Sequence, residues 1–425
     1  MLIKGGRIID PAQELDGVFD LGITSGRIDR IAEHLDPHAG EEIIDATNCV
    51  VAPGFIDMHV HLREPGFPEK ETIATGSAAA VAGGFTAIAC MPNTNPSIDS
   101  PQMVEQVLRL ASDAKLARLY PVAAITRARA GVEGVDYAAL QAAGAVAFSD
   151  DGNTVMNAGV LRTAALAAAN VSGCFISHCE DEHIKLDAVM HFGSMSKKLG
   201  LKGSPALAEE IVVARDLQIA KDTAKAWHIA HLSTKGSVSL MDWARTQGVA
   251  ATCEVTPHHL LFVDESIADL GPLAKVNPPL RERHDAAALR SAVREGKIDV
   301  FATDHAPHTA SEKSADISAA AVGFTGLEIA VGAYALAIPD LPLRRYIELL
   351  STNPARVLGV PGGTLKLGTV GDVTIFADRK WIVESRKFHS KGKATPFEGM
   401  NLPRRATATI VGGEVKMRDG RLALR

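Results

Sequence analysis

The sequence carries no excess of positive charge, no paired-cysteine motif and no unbroken apolar run, and each absence removes a class of function. Lys+Arg total 44 against 50 for Asp+Glu, a formal net charge of -6. That balance gives no electrostatic reason to bind nucleic acid or an anionic membrane. The five cysteines, at 49, 90, 174, 179 and 253, include no C-x-x-C pair. An odd, scattered set predicts reduced thiols in a cytoplasmic protein. The opening run MLIKGGRIIDPAQELDG alternates and is too polar for a secretory signal. The most membrane-like stretch, 319–338, is broken by Glu328 and several glycines, so a buried loop and core helix are expected there.

What is present is length and a regular alternation. A chain of 425 residues exceeds one small core and suits a large barrel plus an accessory domain. Both ends read as short strands with G-G, S-G and D-G turns, and neither holds enough strands for a comfortable sheet alone. The economical solution is one small β-sandwich-like domain built from 1–52 and 364–425. The middle, 53–363, alternates strand-like runs with helix-compatible segments at 73–82, 101–114, 154–169, 207–221, 235–247 and 285–295. The runs are GFIDMHVH, FTAIACMPN, RLYPVAAIT, AVAFSDDG, CFISHCE, AWHIAHLS, ATCEVTPHH and DVFATDHAPH. Eight such alternations predict a (β/α)8 TIM barrel, an α/β fold. A doubly wound open sheet competes, but no Gly-rich phosphate turn follows the first run.

The strand-like runs begin apolar and mostly finish in polar or metal-capable side chains. They end at His59 and His61, Asn93, Asp150 and Asp151, His178, His231, and Asp304 to His308. In a β/α barrel those ends share one face, the active-site mouth. His59 and His61 are two apart on a strand and point the same way, so the pair can hold one metal ion. His178 and His231 can serve a second ion, with a carboxylate shared between the two. Zinc takes imidazole nitrogen and carboxylate oxygen and keeps a position for water in catalytic sites. A lone strand-end histidine is more often a hydrogen-bonded surface residue. The coincidence of several on one face points to a metal centre. Of the 15 histidines, His34, His38, His183, His191, His228, His284 and His389 read as structural or solvated. His258 and His259 read as supporting or packing residues.

No lysine occurs between Lys115 and Lys185, which covers the fourth run entirely. Asp150 and Asp151 are the nearby carboxylates at the end of this run that two metals could share, and spacing does not choose between neighbours that face opposite ways.

The motifs HVHLREPG at 59–66, MPNTNP at 91–96, FSDDG at 148–152, KVNPPLR at 275–281 and ATDHAPH at 302–308 resemble the amidohydrolase superfamily. Within it they resemble the dihydroorotases of the longer bacterial class, over the whole chain. The resemblance implies Zn2+, one or two per subunit with two favoured. His59, His61 and Asp304 would hold one ion, His178 and His231 the other, and Asp151 would bridge. Where hydantoinases link their metals through a carboxylated lysine, this chain has none to offer. Arg63, Asn93, Asn277 and His308 match the family's substrate contacts, and the Val322-Gly323 backbone matches its closing loop. That loop departs from the family's Ala-Pro-Phe-Gly, reading Ala320-Ala321-Val322-Gly323. The Ser- and charge-rich stretch 309–318 before it reads equally as a lid or a plain exposed loop.

The implied reaction is reversible closure of N-carbamoyl-L-aspartate to L-dihydroorotate, with Asp304 as proton shuttle to a metal-activated water. Arg63 suits the substrate carboxylate through its planar fork. A homodimer or a complex with aspartate transcarbamoylase is the implied assembly. The rival activities are a hydantoinase- or allantoinase-like cyclic amidase and a non-catalytic partner of the transcarbamoylase. The missing bridging lysine and the acid-binding set argue against the first. The complete ligand set argues against the second.

Overall fold

In the computed structural model, which describes residues 1–314 and 316–423, the apolar runs of the middle region become eight short parallel strands. They are β1 (Phe55–Val60), β2 (Phe85–Cys90), β3 (Arg118–Ala123), β4 (Ala147–Ser149), β5 (Phe175–Ser177), β6 (Trp227–Ile229), β7 (Ala251–Val255) and β8 (Val300–Phe301). Each pairs in parallel with the next in chain order. The segment after β8 returns to β1, where Val60 bridges His305 and His61 N–H donates to the His305 carbonyl at 2.8 Å. Buried Asp57 ties the same seam, accepting from Thr303 N–H at 3.2 Å. This is an α/β TIM barrel.

Helices Ile73–Gly83, Pro101–Ala114, Ala158–Ala167, Leu207–Thr223, Lys235–Thr246 and Arg283–Arg294 cover the outside. They fall within a few residues of the six expected segments. Local chemistry sets their ends: Thr72 accepts from Thr75 N–H at 3.1 Å to cap the first, and Gly84 closes it at φ 98°. The third crossover helix, Tyr137–Ala143, was not among the expected segments; at seven residues it is too short to show a period. The 319–338 stretch contributes a buried helix, Ala330–Ala337. Its Tyr334 stacks on Phe301 at 3.9 Å, with its hydroxyl 2.7 Å from the Ala302 carbonyl. Among the described residues no helix is long and apolar enough to cross a membrane. All five cysteines are free, four of them buried.

Strands from both chain ends enter one nine-stranded mixed sheet. Its junction joins Val50–Pro53 antiparallel to Val373–Ala377, with Val51 opposite Ile375. The sheet grips the start of β1. Thr374 Oγ1 accepts from Phe55 N–H at 3.0 Å and donates to the Gly84 carbonyl at 2.7 Å. Phe55 also packs on Phe376, with ring centroids 5.7 Å apart. Gly54 is required at this approach, since a Cβ there would lie 2.1 Å from Thr86 Oγ1. Anchoring the start of β1 sets how far its far end reaches, and that end carries His59 and His61.

Candidate metal centre and active site

Asp57, His59 and His61 lie at every second position of β1 and its extension, so their side chains share the inner face of the barrel. His59 and His61 meet residues from three other strand ends. The Asp151 carboxylate sits between them and the second pair of rings. Its Oδ1 lies 3.3 Å from His59 Nε2, 3.7 Å from His178 Nδ1 and 3.8 Å from His231 Nε2. Its Oδ2 lies 3.5 Å from His61 Nε2. Asp304 Oδ1 is 3.0 Å from His61 Nε2 and 3.6 Å from His59 Nε2. His178 Nδ1 and His231 Nε2 face each other at 3.0 Å. All six residues are buried. Asp150 turns away, accepting from Ile125 and Thr126 N–H at 2.8 and 3.0 Å. The neighbours therefore face opposite ways, and Asp151 is the one that meets the imidazoles.

The donor set fits a pair of cations. Two trios, His59–His61–Asp151 and Asp151–His178–His231, have ligand atoms within 4.8 Å of one another. Ligands at 2.0–2.2 Å on a tetrahedral zinc stand about 3.4 Å apart, close to the spacings around Asp151 and Asp304. Buried His59 Nε2 and Asp151 Oδ1 have no hydrogen-bond partner. Such orphaned groups are costly unless something else satisfies them. Two buried carboxylates among imidazoles are a poor arrangement for stability alone.

Burial and mutual contact set the protonation of the cluster. Burial opposes charge on Asp304, but the His61 hydrogen bond and the His59 ring hold its carboxyl well below the usual range. Burial likewise opposes charge on Asp151, and His59 and its neighbours hold it low. Burial and the adjacent His178 and His59 rings push His231 down to about 4. Burial opposes charge on His59, but the Asp151 and Glu254 carboxylates hold it well above the ordinary imidazole value, so the cluster sets its carboxylates beside a protonated His59 and a neutral His231. Metal binding needs carboxylates and neutral imidazoles, so an incoming ion would displace the His59 proton.

The expected substrate contacts surround the cluster. Arg63 turns out of β1 at φ 62° and donates from Nε to the Pro307 carbonyl at 3.2 Å. His308 Nε2 lies 3.2 Å from Arg63 Nη2 and 2.8 Å from the Val322 carbonyl, so Arg63, His308 and Val322 form one group. Burial and the Arg63 charge push His308 down to about 3. Gly323, at φ 108°, donates its N–H to the Lys275 carbonyl at 2.9 Å. Asn93 takes a different position from a free substrate contact, its Oδ1 2.8 Å from His61 Nδ1. Asn277, with its oxygen toward Lys185, has O···Nζ at 2.5 Å. The 309–323 segment is tied at both ends. Lys313 Nζ donates to the Ala321 carbonyl at 2.9 Å, and Lys70 pairs with Glu312 at 2.7 Å. Ala315 within it lies outside the described residues.

Sequence reasoning missed the supports behind the ligand candidates. Glu254 on β7 meets His59 Nδ1 at 2.6 Å, and His228 meets Glu254 at 3.1 Å. Glu180 accepts from His178 Nε2 at 3.0 Å and pairs with Lys185. His258 at the end of β7 is buried with both ring nitrogens unpartnered. A charged residue inside the apolar run ATCEV was the available signal for Glu254. Nothing in the pattern marked His228 or Lys185.

Fold and site together define an amidohydrolase-type barrel with a His/Asp cluster suited to metal. Its fold is similar to that of L-hydantoinase (dihydropyrimidinase) from Arthrobacter aurescens, at TM-score 0.88 and 23% identity over 100% of this chain and 97% of that one. The chain belongs to the dihydroorotase family, and it is a cyclic amide hydrolase. It is 46% identical over 427 residues to the dihydroorotase of Pelotomaculum thermopropionicum, covering 99% of each chain. Against that of Anaeromyxobacter dehalogenans the identity is 45% over 421 residues, covering 98% of this chain and 97% of the other. The family model for dihydro-orotase-like proteins matches residues 48–237. A D-hydantoinase (dihydropyrimidinase) from Thermus sp. shares the fold at TM-score 0.83 and 24% identity, over 100% of this chain and 96% of that chain.

Proposed function

We propose that this chain closes N-carbamoyl-L-aspartate to L-dihydroorotate with loss of water, reversibly, as the third step of UMP synthesis, using two zinc ions. The observation that carries this is Asp151, set within 4 Å of four imidazoles from three other strand ends with one oxygen unpartnered. His59, His61 and Asp304 would hold one ion, His178 and His231 the second, with Asp151 between them. When bound, the pair lowers the pKa of a water and polarises the amide carbonyl.

The residues do the rest. In the hydrolytic direction Asp304, held as a carboxylate, takes the proton from the attacking water and delivers it to the departing ring nitrogen. In the closing direction it removes the proton from the ureido nitrogen as that nitrogen bonds to the substrate's side-chain carboxyl carbon, and returns it to the departing oxygen, which leaves as water. Arg63 pairs with the substrate carboxylate, for which its fork supplies two parallel donors. His308, neutral at pH 7, and the Val322-Gly323 backbone flank that group. Asn93, after β2, and Asn277, in the segment between β7 and β8, would be further substrate contacts, and Asn93 also steadies the His61 ring.

The chain would act in the cytoplasm as a homodimer or in a complex with aspartate transcarbamoylase. Its barrel would span 53–363, and 1–52 with 364–425 would form the second domain. The test is turnover of dihydroorotate against hydantoin and allantoin, with zinc counted in the same sample. Dihydroorotate is expected to be preferred by orders of magnitude, with two zincs per chain. Faster turnover of hydantoin would overturn the substrate assignment.

A further inference from the structure

Glu254 stands behind the cluster rather than in it. It is fully buried on β7, and among the described residues no lysine or arginine pairs with it. Burying such a charge is costly, so its partners deserve an account. Oε1 takes two bonds, from His59 Nδ1 at 2.6 Å and from His231 N–H at 3.1 Å. Oε2 takes His228 Nε2 at 3.1 Å, and His228 Nδ1 in turn meets Thr252 Oγ1 at 2.8 Å.

These bonds place protons. A carboxylate only accepts, so His59 carries a proton on Nδ1, which leaves Nε2, facing Asp151 and Asp304, as the nitrogen a metal would take. A metal ligand needs that tautomer. His228 donates Nε2–H to Glu254 and accepts the Thr252 hydroxyl at Nδ1. The second bond on Oε1 acts on backbone. His231 sits at φ 31°, which side-chain-bearing residues rarely adopt. The Glu254 bond to its N–H holds the turn that aims its ring at His178.

We propose that Glu254, buttressed by His228, is a positioning residue for both halves of the metal centre. It sets the His59 tautomer in one half and the His231 backbone in the other. One carboxylate oxygen thereby couples two ligand sets that lie on different strands. The inference rests on the metal-centre reading above.

The test titrates metal-free protein with Co2+ and follows the visible absorption of each site as it fills. Glu254→Leu removes both acceptors at similar volume. Glu254→Gln keeps one oxygen for His59 and His231, while its amide can face a His228 of the other tautomer. The leucine variant is expected to bind Co2+ roughly 10- to 100-fold more weakly at both sites, with altered bands. The glutamine variant is expected to recover all but about tenfold of that. Wild-type affinity and spectrum in Glu254→Leu would overturn the proposal. So would a lower melting temperature of that metal-free variant with unchanged Co2+ affinity, because that is a folding role alone. Should Glu254→Leu not fold, His228→Leu reads the same relay, with weaker binding expected and unchanged binding overturning it. A wild-type protein that takes up no Co2+ would instead remove the metal centre itself, a distinct result.

Discussion

At the scale of single residues, the proposed centre gives Asp151 and Asp304 different work, the first shared by both ligand trios and the second moving a proton. Asp151 meets four imidazoles, so Asp151→Ala leaves two trios without their shared oxygen donor. Metal content measured by elemental analysis is expected to fall, while Asp150→Ala is expected to keep the wild-type content. Undiminished zinc in Asp151→Ala would remove it from the centre. Asp304→Asn keeps the shape and loses the proton acceptor. Its kcat for dihydroorotate is expected to drop about 10²- to 10⁴-fold, the usual worth of general acid–base catalysis. Retained activity would exclude the shuttle. The choice between Asp150 and Asp151 was not legible in FSDDG by spacing. It follows from the backbone at the end of β4, where Asp150 is committed to the Ile125 and Thr126 amides. Glu254 was harder to read, because its partners lie 195 and 26 residues away along the chain.

Elements behave as units where they carry these residues, and the segment 309–323 is the clearest case. Lys313 is buried there, donating to the Ala321 carbonyl at 2.9 Å and the Lys275 carbonyl at 3.5 Å. Burial and the neighbouring Lys275 ammonium push its amine from 10.5 down to about 7. Between those values the unfolded chain holds a proton that the folded chain has released, so stability rises with pH across that window. Lys313→Met removes the group, and its melting temperature is expected to rise less steeply with pH over that window than the wild type's. An unchanged slope would show that the amine is not the cause. The same variant frees the loop ahead of Val322 and Gly323. KM for dihydroorotate is expected to rise several-fold with a smaller change in kcat, a loss of ground-state contacts. In composition this stretch reads equally as a lid or a plain loop. What ties it down is a set of contacts to Lys275 and Lys70 from elsewhere in the chain.

For the whole molecule, the barrel is not expected to depend on a bound metal as a small zinc domain does. Its hydrophobic core runs continuously from the helices through the outer faces of the strands. Chelation is expected to abolish activity and lower the melting temperature while leaving the far-ultraviolet circular dichroism intact, and Zn2+ should restore both. Collapse of the dichroism on chelation would contradict this. Sequence alone determined the eight-fold alternation and the polar strand ends, because hydrophobic period and turn chemistry are local properties. It also determined the absence of a bridging lysine, which is simply a matter of composition between 115 and 185. Only the tertiary structure decided which of two adjacent aspartates faces inward, that Asn93 holds the His61 ring, and that Glu254 and His228 stand behind His59. Those relations are distances between strands, set by how the barrel closes and how the terminal sheet anchors β1, and no local pattern encodes them.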